Sequence, residues 1–175
     1  MRESYINKFD GWLGINKEVG MSSDKVVNKV KKIMNLKKAG HAGTLDPLAS
    51  GVLPIALGEA TKTMSYAMQT YKAYEFDINW GVATETDDLE GKISNISKVR
   101  PSKNEIIRAL PNFMGKIRQK PPVFSAIKID GIRSYKLARK SIKVDIPERE
   151  VFIKNFKLVK SFDKNKARFI VECGK

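Results

Sequence analysis

The chain of 175 residues carries 33 Lys and Arg against 19 Asp and Glu, a formal net charge of +14. That excess points to a polyanionic partner, with nucleic acid first. No apolar run of about 18 residues supports a membrane span, and the start Met1-Arg2-Glu3-Ser4-Tyr5 lacks the apolar core of a secretory signal. One cysteine, Cys173, excludes an internal disulfide, and with a single histidine it cannot complete the usual Cys/His zinc set, so no structural metal is expected. One domain with one core is the default expectation for this length, two small lobes the alternative. The chain reads as cytoplasmic.

In chain order, residues 1–10 read as a flexible leader and 11–17 as a strand and turn closed by Gly20. Ser22 and Ser23 are both good N-caps, and Val26, Val27, Val30, Ile33 and Met34 recur at helical spacing with Lys25, Lys29, Lys31 and Lys32 between them. This predicts an amphipathic helix with a basic face. Residues 52–57 form a short apolar run broken by Pro54, which suits an edge or irregular strand. A helix over 59–70 and a strand over 72–82 follow, the latter with Tyr74, Phe76, Ile78 and Trp80 on one face. The acidic stretch 84–91 lacks the ligand spacing of an EF-hand loop. Ser102-Lys103-Asn104-Glu105 is a capping box for a helix with the stripe Ile106, Ile107, Leu110, Phe113 and Met114, ended by Gly115. A basic, proline-stiffened segment over 116–122 leads to a strand over 123–129 and a turn at Asp130-Gly131. A short helix over 134–141 precedes a hairpin of strands 151–162 and 167–173. The sum is an α+β fold, one curved, mixed but mostly antiparallel sheet flanked by helices.

The stretch Gly40-His41-Ala42-Gly43-Thr44-Leu45-Asp46-Pro47-Leu48-Ala49-Ser50-Gly51 concentrates special residues. Three glycines allow positive φ or close approach of another chain, Pro47 stiffens the turn, and Leu45, Leu48 and Ala49 offer a grip on a core. The loop therefore presents Asp46 rigidly, five residues after the only histidine and beside Lys37 and Lys38. No phosphate-binding glycine loop, dinucleotide fingerprint or nucleophile elbow exists elsewhere. A lone carboxylate in a rigid loop can act as a nucleophile; a turn or capping aspartate is the competing reading, and for His41 a structural histidine.

These residues resemble, nearly letter for letter, the catalytic motif of the TruB-type tRNA pseudouridine synthases, which make pseudouridine at position 55 of the tRNA T loop. Four further motifs follow the family in order: Gly20-Met21-Ser22-Ser23, Gly58-Glu59-Ala60-Thr61-Lys62, Lys72-Ala73-Tyr74, and Pro121-Pro122-Val123-Phe124-Ser125-Ala126-Ile127-Lys128 with Gly131. The resemblance implies a pseudouridine synthase-like fold, with Asp46 as nucleophile in a covalent adduct and Tyr74 stacking on the target base and aiding proton transfer. It implies RNA contacts from His41, Lys17, Lys38 and Lys62, and a basic strip of Lys116, Arg118 and Lys120 along the RNA arm. No cofactor or metal is needed. The implied partner is the T arm of tRNA, with no membrane and no protein partner specified, and a monomer is expected. Two departures accompany the match. Glu18 stands where the family has Pro, and the sequence stops before the family's Gly-Thr-Tyr-Ile-Arg motif, whose arginine pairs with the catalytic aspartate. Residues 11–175 are thus expected to be the N-terminal part of a catalytic domain. The alternative is a noncatalytic tRNA-binding or tRNA-folding protein.

Overall fold

The computed structural model describes residues 9–123, 127–138, 140, 142 and 145–174. The chain divides into two compact units, Met1–Thr70 and Tyr71–Lys175. Most of the leader expected over 1–10 lies outside the described residues. Asp10 is fixed, its Oδ1 accepting the Glu59 N–H at 2.7 Å.

In the first unit, β1 (Gly11–Lys17), β2 (Ala39–His41) and β3 (Gly51–Leu57) form an antiparallel sheet in the order β1-β3-β2. Helix α1 (Ser23–Ile33) packs its Val26 and Val27 against Leu53, Ile55 and Leu57. Ser22 is the N-cap, its Oγ accepting the Lys25 N–H at 3.3 Å. The strand expected at an edge is central, and Pro54 survives there for a local reason. Pro54 O accepts the Ala42 N–H at 2.9 Å, so the side of β3 on which a Pro54 N–H would point faces β2, which ends at His41. The helix expected over 59–70 is instead a 3-10 helix over Gly58–Thr63 followed by α2 (Met64–Met68). Thr61 and Thr63 hydroxyls donate to the carbonyls three residues back, at 2.7 and 2.8 Å, competing with the α-helical pattern.

In the second unit, β4 (Lys72–Asn79), β7 (Gly115–Gln119), β10 (Arg149–Ser161) and β11 (Lys166–Cys173) form a sheet in the order β4-β11-β10-β7. The predicted strand over 72–82 breaks after Asn79. Gly81, at φ +89°, turns the chain into β5 (Val82–Thr84), which pairs with β6 (Ile93–Ile96). In the acidic stretch between them, Asp88 Oδ1 is engaged locally by Thr86 Oγ1 at 2.5 Å and the Glu90 N–H at 2.8 Å. Where a single sheet was expected, the strands of the described residues pair in four sheets, the fourth being the small hairpin of β8 (Lys128–Ile129) and β9 (Ile132–Arg133). Its turn uses Asp130 and Gly131, at φ +48° and +81°. Helix α3 (Lys103–Ala109) starts with the predicted capping box and ends before Gly115, passing into a 3-10 helix over Leu110–Phe113. Helix α4 spans Ser134–Ala138, and residues 139 and 141 of the helix expected over 134–141 lie outside the described residues. The basic segment expected as a proline-stiffened connector is largely strand β7.

The large sheet has two chemically distinct faces because side chains alternate across each strand. Phe169 is buried at the centre of one, with ring centroids 5.6 Å from Phe156, 5.9 Å from Phe76 and 6.2 Å from Trp80. Ile106 and Leu110 pack on this cluster. On the other face Arg168 holds Asp77 through two hydrogen bonds, Nε to Oδ1 at 2.7 Å and Nη2 to Oδ2 at 3.1 Å, and Lys166 reaches Asp77 at 2.9 Å. The Arg168 guanidinium, with the Lys166 ammonium second, holds the Asp77 carboxyl well below its ordinary value. A lowered folded value gives stability that is present above the unfolded pKa and lost as pH falls through the folded one. Asp77→Asn is therefore expected to lower the urea midpoint at neutral pH and to close the gap to the parent protein in acid; a gap independent of pH would refute the assignment.

Candidate active-site loop

The loop that follows β2 is built from outside inward. Strand β1 places Leu13, Ile15 and Lys17 on its inner face by simple alternation. Lys17 is consequently fully buried, and its Nζ donates to Met21 O at 2.8 Å and Glu18 O at 3.0 Å. Expected as an RNA contact, it instead ties down the turn after its own strand. Glu18 serves that bond with its backbone oxygen, which the family's proline would also supply. The turn then reaches the loop, for the Gly20 N–H donates to Pro47 O at 2.8 Å.

Ser23, buried at the start of α1, holds the other side of the aspartate. Its Oγ donates to Leu45 O at 2.9 Å and accepts the Leu45 N–H at 3.0 Å. Asp46 therefore sits between two anchored residues, with an Ala49 N–H bond to its own carbonyl at 3.0 Å closing the Pro47-Leu48 turn. Leu45 packs on the core as expected, whereas Leu48 is exposed. Gly43 and Gly51 take positive φ, +118° and +133°, and Gly40 gives room to Met64, whose Sδ would lie 3.0 Å from an added Cβ. The glycines thus serve both expected purposes. The Asp46 side chain is exposed, and among the described residues no hydrogen bond or ion pair engages its carboxylate.

His41 ends β2. Its Nδ1 lies 2.5 Å from Gly43 O and its Nε2 3.3 Å from Asp24 Oδ1. Lys38 contributes its carbonyl to the Gly58 N–H at 2.9 Å, and Lys62 pairs with Glu59 on the surface. The Glu59 carboxylate raises the Lys62 amine from its ordinary value.

Tyr74 belongs to the second unit, on β4 opposite Val171 of β11. It is 40% exposed. Burial, aided by Cys173, pushes its phenol up, further from ionisation. Lys116 pairs with Glu150 at 3.3 Å and Lys120 with Asp145 at 3.1 Å, while Arg118 is exposed and has no ion-pair partner among the described residues. Exposed pairs of this kind are worth little and release readily to a competing phosphate. Sequence reasoning missed Ser23 as loop clamp and Asp24 as histidine partner. The available signal was the doubled serine, since one helix start has use for one capping hydroxyl.

Among solved structures, the chain is similar to a chain in the "Crystal Structure of a Cbf5-Nop10-Gar1 Complex", with a TM-score of 0.66 and 28% identity, covering 94% of this chain and 39% of that one. It is likewise similar to a chain in the "Structure of H/ACA RNP bound to a substrate RNA containing 2'-deoxyuridine", with a TM-score of 0.65 and 24% identity, covering 94% and 38%. These likenesses show that the chain shares the fold of the matched regions. Residues 31–175 match the TruB family pseudouridylate synthase (N terminal domain), and the chain belongs to that family. It is 53% identical over 165 residues to the tRNA pseudouridine synthase B of Bartonella quintana (strain Toulouse), covering 94% of this chain and 61% of the relative. It is 51% identical over 166 residues to that of Ehrlichia chaffeensis (strain ATCC CRL-10679 / Arkansas), covering 94% and 56%. The chain thus spans between half and two thirds of the length of these relatives. Among the described residues no helix is long and apolar enough to cross a membrane.

The loop geometry generates a direct test. Ser23→Ala leaves the Leu45 N–H and C=O without their partner and is expected to cost about 1–3 kcal/mol, read by chemical denaturation, with faster hydrogen exchange at the Leu45 amide. A variant with parental stability and protection would remove Ser23 from this role.

Proposed function

We propose that this chain carries the nucleophile of a tRNA pseudouridine synthase that isomerises uridine 55 of the T loop through a covalent adduct on Asp46. The observation that carries the reading is the state of Asp46: backbone anchored on both sides through Leu45 and Pro47, carboxylate exposed and unengaged among the described residues. A group held this way meets a substrate without first breaking a bond of its own, and its position is fixed before the substrate arrives.

The chemistry balances without a cofactor. The bond from ribose C1′ to uracil N1 breaks, Asp46 holds the covalent adduct while the base turns, and a bond from C1′ to C5 forms. The C5 proton leaves and N1 ends protonated, so product and substrate are isomers. Reaching the nucleotide requires its extrusion from the T-loop stack, a cost of a few kcal/mol in base-flipping enzymes. Tyr74 suits the role of stacking partner, since its ring stands part-exposed on strand β4. Stacking on an aromatic ring offsets about 1–3 kcal/mol per base. Lys38, Lys62, Lys116, Arg118 and Lys120 supply exposed cations for backbone phosphates, and His41 a contact at the loop's entrance, as expected of shape-based RNA recognition. The buried Lys17 acts through the loop and not on RNA.

The test is pseudouridine formation in a T-arm stem-loop, read by mass-labelled chemistry, for the chain alone and joined to the remaining length of its relatives. Asp46→Asn is expected to abolish product in the active preparation while leaving RNA affinity unchanged. Product formation at the parental rate by Asp46→Asn would overturn the nucleophile assignment. Binding without turnover in both preparations would assign the chain the noncatalytic RNA-binding role.

A further inference from the structure

The His41 ring is flanked by two oxygens. Nδ1 lies 2.5 Å from the Gly43 carbonyl, and Nε2 lies 3.3 Å from Asp24 Oδ1. A neutral imidazole has one donor nitrogen and one acceptor nitrogen. The carbonyl of Gly43 accepts only, so Nδ1 carries a proton. The ring thus bridges the departing loop and the first turn of α1 through its two nitrogens.

The placement of these contacts matters more than their number. Asp24 lies in the first turn of α1, next to Ser23, whose hydroxyl holds Leu45. His41 is the last residue of β2, and Gly43 is where the backbone turns to φ +118° and the loop departs. Consecutive residues of one helical turn therefore grip both the departure of the loop and the residue before Asp46. We propose that Asp24 is a positioning residue for the Asp46 loop: through His41 it clasps the first turn of α1 to the point where the loop leaves β2.

The surroundings are consistent with a clasp made by this one carboxylate. The elements that pack on β2 are α1, β3 and the 3-10 helix over Gly58–Thr63. Helix α1 contributes Lys25, Lys29, Lys31 and Lys32 besides Asp24; β3 has no charged side chain; the 3-10 helix has Glu59 and Lys62, which pair with each other. The flanking segments add Lys37, Lys38 and Asp46. An acidic residue in the first turn also suits the positive end of the helix. The ring is 19% exposed and the Asp24 side chain 89%, so the carboxylate keeps its hydration while steering an enclosed partner.

The catalytic consequence rests on the function proposed above; the clasp itself does not, and the experiment separates them. His41 is the chain's only histidine, so the two ring nitrogens of a 15N-histidine-labelled sample give unambiguous signals. In Asp24→Asn the Nε2 signal is expected to move as its carboxylate partner is lost, with faster hydrogen exchange of the Gly43 and Leu45 amides. Asp24→Glu is expected to restore much of both. Unchanged ring-nitrogen signals and unchanged exchange in Asp24→Asn, with its fold verified by circular dichroism, would overturn the clasp whatever the chain does to RNA. On T-arm RNA, in the preparation that turns over, Asp24→Asn is expected to lower kcat with little change in KM; equal kcat would overturn the positioning role. Absent turnover in every preparation counts against the reaction assignment alone, because the nitrogen signals decide the clasp.

Discussion

A single buried hydroxyl carries more of this structure than its size suggests. Ser23 Oγ both donates to and accepts from the backbone of Leu45, saturating one residue's polar groups in a medium where leaving either unpaired is costly. Lys17 completes the constraint by the opposite route. An ammonium withdrawn from water is expensive unless fully partnered, and the two turn carbonyls around Nζ supply that partnership and set the conformation from which Gly20 reaches Pro47. Rigidity at Asp46 is thus borrowed from the core of the first unit, while the carboxylate stays in solvent.

Much of the scaffold could be read from the sequence, wherever one physical signal dominated. Strand β1, helix α1, the Ser102 capping box and the hairpin of β10 and β11 follow from periodicity and cap chemistry, and the structure holds them nearly where expected. Readings went astray where two signals competed. At Gly58–Thr63, threonine back-bonding replaced a regular helix with a 3-10 turn. Composition made residues 116–122 a stiffened basic connector, yet Ile117 alternates with cations and pairs with Val151 as strand. Lys17 is the sharpest example. Residue type argued for the surface, alternation with Leu13 and Ile15 argued for the interior, and alternation prevailed because carbonyl partners lay within reach.

The candidate site was legible in its centre and obscure in its supports. A rigid loop presenting Asp46 followed from glycine and proline chemistry alone, and the choice of aspartate role came from family membership. The supports act through backbone atoms, which sequence does not display: Leu45, Pro47 and Met21 are held by their peptide groups. Tyr74 shows the converse. Its strand and face were readable from alternation, whereas the partial burial that raises its phenol depends on neighbours brought by β11.

Pro54 also has a meaning beyond tolerance. Because it accepts from Ala42 and cannot donate in return, the pairing of β2 with β3 has a built-in stop one residue past His41. The proline thus marks the boundary between paired strand and free loop, its missing donor coinciding with the place where the chain leaves β2.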